Sequence, residues 1–514
     1  MNLSTKTSVD LKSAEITKLR TYIKQSWHTL TRSHDHIIAA AVDEKIPHRA
    51  GMPWNVYVSA KEDMADVKKT LSQSVPAEKL RKINLKELPA EVDQIDDHGL
   101  LYLPGAYVVP GGRFNEMYGW DSYFIQLGLL QDQEYDLAKS MVDQALYEVE
   151  HYGSVLNANR TYFLNRSQPP FLSQMVLNWF SHSQDTDWLR STIPQLESYY
   201  YYWNVPPHLN ANTGLSHYYA IGDGPAPEVI FSERDEGGRT HFDRIKDYYR
   251  TESVIEYDLS LYYDSAGDRL TDLFYKGDRS MRESGLDPTN RFGPFSVDII
   301  HYAPVCLNVL LYMMERDIAD IHERLNYPDL AQRWRDKADE RAKLVNEYLW
   351  DDDSGLYLDY NFRDERRRYY EYATTFYPLW AGMATIEQAQ RVVDNLSKFE
   401  APGGIRTSNY MSGNQWDAPF GWAPFQLIAV RGLLRYGYQA EAKRIAEKFV
   451  RLAFDEFASC GYLLEKYDLE RCSGNVSDEI QFGYSTNEIG FGWTNGVVLE
   501  LLSILDSLKH VSLY

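Results

Sequence analysis

GGRFNEMYGWDSYFIQLGLL, residues 111–130, joins a polar, aromatic, glycine-bearing loop to an apolar run that recurs at helical spacing. The same pattern returns three times. NANRTYFLNRSQPP (157–170) feeds the run from 171, SGNQWDAPFGWAP (412–424) feeds the run from 425, and STNEIGFGWTNG (485–496) feeds the run from 497. The outgoing connections are plainer. If alternate helices line the inside of a closed ring, the rich loops all open at one end. This predicts an all-α fold, an (α/α)6 barrel with a funnel at one mouth. Helical periodicity covers residues 124–131, 137–151, 171–183, 188–203, 298–321, 328–350, 375–384, 386–399, 425–436, 439–459 and 497–508, and a strand pair is expected around the turn DDDSG (351–355). No Pro/Gly/Ser-rich linker interrupts residues 100–514, which are expected to form the barrel. The more polar residues 1–99 read as an N-terminal extension packing on it, with one amphipathic helix over 16–42.

With 514 residues, 44% of them hydrophobic, the chain can bury a sizeable core. Its 74 acidic and 53 basic residues leave a net charge of −21, which repels phosphate backbones and anionic lipid and argues against nucleic-acid or membrane partners. The first residues, MNLSTKTSVDLK, lack the apolar run of a secretory signal, so a cytoplasmic location is expected. The three cysteines show no CxxC spacing. Aromatic residues make up 14% of the chain, and many stand beside Asp, Asn, Arg and Gly, as a carbohydrate site requires: rings lie against sugar C–H faces while charged and amide groups bind hydroxyls.

No HExxH, phosphate loop or GxSxG elbow occurs, and no metal site is expected. Carboxylates remain. Asp287 lies in RESGLDPTNRF (282–292), where Pro288 favours an extended backbone and directs the side chain out of the loop. Glu465 lies in LLEKYD (463–468), where the chain turns back after a long helix. Glycoside hydrolysis needs such a pair, one carboxyl to protonate the leaving oxygen and one carboxylate to activate water or attack. Taken alone, either residue is more often an ordinary hydrogen-bonding carboxylate.

PGGRFNEMYGWDSYF (110–124), NANRTYFLNRSQPPF (157–171), ESGLDPTNRF (283–292), QWDAPFGWAP (415–424), LEKYD (464–468) and GFGWTNG (490–496) resemble, in this order, the signature blocks of the trehalase family of inverting α-glucosidases. The resemblance runs from about residue 100 to 508. It implies the (α/α)6 fold and an inverting mechanism without metal or organic cofactor. It places Asp287 at the general acid and Glu465 at the general base, with carboxyls about 6.5–9.5 Å apart to admit the attacking water. It places Arg113, Phe114, Trp120, Asp121, Asn157, Arg166, Gln415, Trp416 and Asp417 around the cleaved glucose. Arginine suits that task as a rigid donor fork, and tryptophan as a stacking wall.

The departures concern the leaving half. The family's PRPES stretch is PAPEV here (225–229), with Ala226 for the arginine and Glu228 retained as a substrate contact. The family's glycine-rich lid ends in a glutamate. Here the stretch is LERCSGNVSDEIQFGYSTNE (469–488), with Gly483 near that position and Glu479 as the substitute. ESGWD has become ESGLD, with Leu286 beside the acid. One lost charged contact costs about 1.5–3 kcal/mol, so a second glucose is expected to be held less well. The expectation is a small α-glucoside compatible solute, glucosylglycerol or glucosylglycerate, with trehalose as the alternative. A glycerate carboxylate would need a cation, for which Arg234, Arg239 and Arg244 in the charged, glycine-bearing loop expected over residues 231–250 are candidates. A non-catalytic sugar-binding protein on the same scaffold is opposed by the retained Asp287 and Glu465.

Overall fold

Every residue from Asp121 to Leu130 in the helix Asp121–Gln131 is buried. Pro328–Tyr348 buries Ala331, Trp334, Ala338, Arg341 and Val345, at alternating spacings of three and four. A helix buried all round belongs inside a domain, and a striped one belongs on its outside. The fold comes from a computed structural model that describes residues 13–92, 95–232, 237–476, 480–484 and 486–511. Among the described residues six inner helices, Asp121–Gln131, Leu172–Ser183, Val305–Arg324, Tyr377–Ala381, Ala423–Arg435 and Gly492–Val511, each touch the next, and the last touches the first. Tyr135–Tyr152, Ile193–Trp203, Pro328–Tyr348, Ile386–Asp394 and Gln439–Cys460 alternate with them in the chain, and Ser13–Leu30 packs on Gly492–Val511. The molecule is the expected (α/α)6 barrel.

The ring closes at a seam of two glycines. A β-carbon on Gly496 would stand 2.0 Å from the carbonyl oxygen of Phe124, and one on Gly128 would stand 2.7 Å from Cα of Gly496. The first and last inner helices therefore touch backbone to backbone, as only glycine permits. Trp27 of Ser13–Leu30 covers the seam; it is fully buried and its Nε1 donates to Asp132 Oδ2 at 2.7 Å.

The helix expected over 16–42 stops at Leu30. The Thr31 hydroxyl donates back to the Trp27 carbonyl at 2.7 Å, and Thr31–Arg32 pairs antiparallel with Tyr107–Val108, so both side chain and backbone leave the helical ladder. The helix expected from 298 begins at Val305 because Pro304 has no N–H to donate; Pro294–His301 is a 3-10 segment instead. Residues 188–203 divide into Thr186–Ser191 and Ile193–Trp203, with Pro194 in the first turn of the second helix. The strands Trp350–Asp351 and Leu356–Tyr357 pair around DDDSG as expected. A parallel sheet places Trp54–Val58 between Ile83–Glu87 and Leu100–Leu101, and its hydrogen bonds span residues 99 and 100. The alternation in that region is too short to show in the sequence.

Candidate active site

The loops that enter the inner helices converge on one cavity of about 120 Å³. It is lined by Arg113, Phe114, Trp120, Asp121, Asn157, Arg166, Glu228, Asp287, Gln415, Trp416 and Glu465, eleven of the twelve residues expected there. The twelfth, Asp417, does not reach it. Asp417 is fully buried behind the wall, where it accepts from Thr289 Oγ1 (3.0 Å), the Asn290 N–H (2.8 Å) and Ser412 Oγ (2.6 Å). Both its oxygens hold the loop that follows Asp287, so it positions that loop and has nothing left for a sugar. Burial pushes its pKa up to about 6.

Asp287 follows Gly285, whose φ of +71° needs glycine and whose missing β-carbon would stand 3.1 Å from Trp120 Nε1. The Asp287 side chain is 30% exposed and lies 3.4 Å from Arg282 Nη1, while Arg282 is held by Asp278 at 3.1 and 3.3 Å. Glu465 is its opposite, a buried carboxylate between the helix Gln439–Cys460 and the strand Lys466–Asp468. The Tyr484 hydroxyl donates to Glu465 Oε1, and Lys466 Nζ stands 3.4 Å from Oε2. Burial raises the Glu465 pKa, opposed by Lys466, Tyr484 and Arg113. Lys466 is itself fully buried, and desolvation lowers its pKa to about 8 against the pull of Glu465.

Gln415 ties the two carboxylates together. Its Nε2 donates to the Asp287 carbonyl at 2.5 Å, and its Oε1 accepts from Lys466 Nζ at 3.1 Å. Pairing of Phe420–Trp422 with Lys466–Asp468 fixes the register between these two loops. Trp416 stacks on Trp422 with ring centroids 3.8 Å apart, and Trp120 and Trp493 meet them at 5.9 and 6.3 Å, forming an aromatic wall. Asp121 heads its inner helix, and burial, then Glu465 and Asp287, raise its pKa well above the carboxylate range.

Arg113 lies 4.0 Å over the Tyr484 ring, and Glu488 receives the Arg113 backbone N–H at 3.0 Å with Nε 3.8 Å away. Arg166 pairs through Nη2 with Glu228 and lies 4.7 Å over Phe163. Its Nε and Nη1 are buried and bond to no other protein group among the described residues, leaving two donors for a ligand hydroxyl. Asn157 Nδ2 approaches the Arg282 carbonyl at 3.5 Å.

Sequence reasoning missed Lys466, Tyr484, Glu488 and Arg282, although each lies in or beside a quoted block. A single sequence does not show which neighbour of a carboxylate points inward. Ala226 is fully buried in a satellite core with Val229, Phe242 and Ile245. Gly483 packs against the Gln415 side chain. Glu479 and Arg234 lie outside the described residues. Residues 231–250 were expected as a loop, but His241–Thr251 is a helix opened by a Thr240/Asp243 capping box. Arg239 pairs with Asp247, Arg244 Nη1 approaches the Gln481 carbonyl at 3.5 Å, and neither lines the cavity.

A sequence model of the family described as trehalase matches residues 4–506. The cytosolic neutral trehalase of Kluyveromyces lactis is 37% identical over 447 residues, covering 79% of this chain and 57% of that protein. The cytosolic neutral trehalase of Saccharomyces cerevisiae is 35% identical over 542 residues, covering 94% of this chain and 71% of that protein. The chain thus spans between about half and three quarters of these longer relatives. The solved structure of the neutral trehalase of Saccharomyces cerevisiae matches with a TM-score of 0.79 at 33% identity, over 96% of this chain and 95% of that one. A mannosylglycerate hydrolase of Thermus thermophilus shares the fold, with a TM-score of 0.51 at 18% identity over 77% of this chain and 96% of that one.

Proposed function

The chain belongs to the trehalase family of glycoside hydrolases, and from that premise we propose that it hydrolyses α,α-trehalose to two glucoses with inversion. The observation that carries this reading is the match to the neutral trehalase of Saccharomyces cerevisiae, which runs through nearly the whole of both chains at 33% identity. Glucosylglycerol and glucosylglycerate, favoured by the sequence departures, have no comparable support. Those departures also lose force in three dimensions. Ala226 packs in a satellite core and does not itself line the cavity, although Val229 of that core does, and Tyr484 and Glu488 supply a ring and a carboxylate beside Arg113. The lining also carries Lys45, Arg113, Arg166 and Arg282 beside the carboxyl groups of Asp121, Glu228, Asp287 and Glu465.

In this reaction Asp287 protonates the glycosidic oxygen as the C–O bond breaks, and Glu465 removes a proton from the water that attacks the opposite face of the same anomeric carbon. Tyr484 and Lys466 hold the Glu465 carboxylate, and Gln415 keeps the two loops in register. Arg166 and Asp121 bind hydroxyls, and the tryptophan wall excludes water from the sugar face. The relatives named cytosolic support a cytosolic location for this chain as well. No helix among the described residues is long and apolar enough to cross a membrane.

A substrate panel at equal concentration, with trehalose, glucosylglycerol, glucosylglycerate and sucrose, tests the assignment; faster turnover of either glycerol-based glucoside refutes it. NMR of the first products tests the stereochemistry. Inversion releases α- and β-glucose in equal amounts, because the leaving half keeps its configuration, and initial release of α-glucose alone excludes it.

A further inference from the structure

We propose that Lys45, contributed by the N-terminal segment, donates a hydrogen bond to the leaving glucose and selects for a sugar in that position. Lys45 lies in none of the six quoted blocks and far from the two carboxylates in sequence, yet it lines the cavity. Its side chain is 11% exposed. Its ammonium stands 2.9 Å from Glu116 Oε1 and 3.5 Å from Asp43 Oδ1, which account for two of its three N–H donors. The third remains for the cavity.

Two features fix Lys45 in place. Its own backbone N–H donates to Asp43 Oδ1 at 2.9 Å, and the segment before it is clamped by Arg160, whose Nη atoms bond the carbonyls of Ala40, Ala41 and Val42 at 2.8–3.0 Å. Arg160 Nε also bonds Glu116 Oε1 at 2.8 Å, so two cations share two carboxylates. The cluster is neutral as a whole. Lys45 therefore presents a pre-oriented donor rather than a net positive field, which is what an uncharged hydroxyl wants and what a carboxylate would not repay.

The groups that act on Glu465 are Lys466, Tyr484, Arg113 and Glu488. Lys45 instead adjoins Ile46, which packs with Tyr118 and Phe163, and Phe163 carries the Arg166–Glu228 pair above it. In an inverting site water and base occupy one face of the cleaved sugar and the leaving group occupies the other. The wall that bears Lys45 runs through Glu228 to the Gly224 and Pro225 carbonyls that Arg279 bonds, one turn before Arg282 beside Asp287, so this donor is assigned to the half whose oxygen the acid protonates.

Lys45 has this role only if trehalose is the substrate, so the experiment pairs trehalose with α-glucosyl fluoride, in which a fluoride ion replaces the leaving sugar. Lys45→Met is expected to lower kcat/KM on trehalose about tenfold or more, the loss of one charged hydrogen bond, while leaving the fluoride value within about twofold. Lys45→Arg, which keeps the charge beside Glu116 and Asp43, carries the test if the methionine variant does not fold; it should show a smaller loss confined to trehalose. Equal losses on both substrates mean that the cluster only supports the fold, and no loss on either means that Lys45 makes no contact; each outcome overturns the assignment. Wild-type enzyme that cleaves the fluoride but not trehalose refutes the substrate reading instead, and Lys45 as a sugar donor with it.

Discussion

Lys466→Met should move the acidic limb of the pH–rate profile upward. Lys466 Nζ lies 3.4 Å from Glu465 Oε2, deep in the protein. Unit charges at that distance attract by about 5 kcal/mol at an effective dielectric constant of 20. The methionine, similar in length, removes that attraction and the bond to Gln415 while Tyr484 and Arg113 stay. Losing a cation disfavours the carboxylate, so the base remains protonated to higher pH. The limb of kcat/KM is expected to shift by about one pH unit or more, and the rate on the acidic side to fall about tenfold or more, each unit being worth about 1.4 kcal/mol. Initial rates on trehalose across the acidic and neutral range measure this. Stability provides a separate control. Lys466 is held at about 8, below its ordinary 10.5, so between those values the unfolded chain binds more protons and wild-type stability rises with pH; the variant should lose that rise. A folded Lys466→Met enzyme whose acidic limb coincides with wild type would refute the claim that this lysine governs the ionisation of Glu465.

Asp287→Asn and Glu465→Gln should each lower kcat by about two to four powers of ten with trehalose binding retained by calorimetry, and near-normal turnover in either would show that the acid or base lies elsewhere. Asp417→Ala should reduce kcat with KM nearly unchanged, because it frees Thr289, Asn290 and Ser412 behind the acid's loop; a change in KM alone would place Asp417 against the sugar after all. Glu148 is buried and burial raises it to about 8, so its contribution to stability is complete below its ordinary 4.5 and is lost as pH rises through about 8; the span corresponds to about 5 kcal/mol. Glu148→Gln should therefore melt higher than wild type at the alkaline end and similarly at the acidic end, by calorimetry. Deleting residues 1–99 removes Ser13–Leu30 and the carbonyls that Arg160 binds, and should abolish cooperative melting; a soluble 100–514 fragment that melts cooperatively would establish the division at 99/100.

The barrel was legible because polar, aromatic, glycine-bearing loops precede the apolar runs from 124, 171, 425 and 497, and those runs are inner helices in the structure. Residues 121–130 are buried around the whole helix, whereas 328–348 are buried at every third or fourth position. Breaks were harder to see where they depend on a partner distant in sequence. Nothing local shows that Thr31–Arg32 will pair with Tyr107–Val108, and helical periodicity continues past them. The site shows the same division. Arg113, Trp120 and Gln415 stand in dense polar-aromatic loops that announce themselves, but Asp417, in the same loop as Gln415, turns its oxygens outward to Thr289 and Asn290, a choice set by the fold. Ala226 misled for the related reason that a motif position fixes a residue type and leaves its direction open. Lys45 gave no signal at all, because the contact between it and Glu116 exists only once Arg160 has drawn residues 40–42 against the barrel.

The glycine seam between Asp121–Gln131 and Gly492–Val511 also sets an order of events. The residues that hold one side of the cavity, from Arg113 to Asp121, leave the ribosome early, and Glu465 emerges more than three hundred residues later by sequence position. The two are drawn together only when the final inner helix docks at Gly128 and closes the ring. Domains assemble as they are synthesised, and contacts this distant form last. A nascent or truncated chain therefore carries Asp287 without Glu465 beside it, and the proposed activity would be acquired in one step, upon closure of the ring.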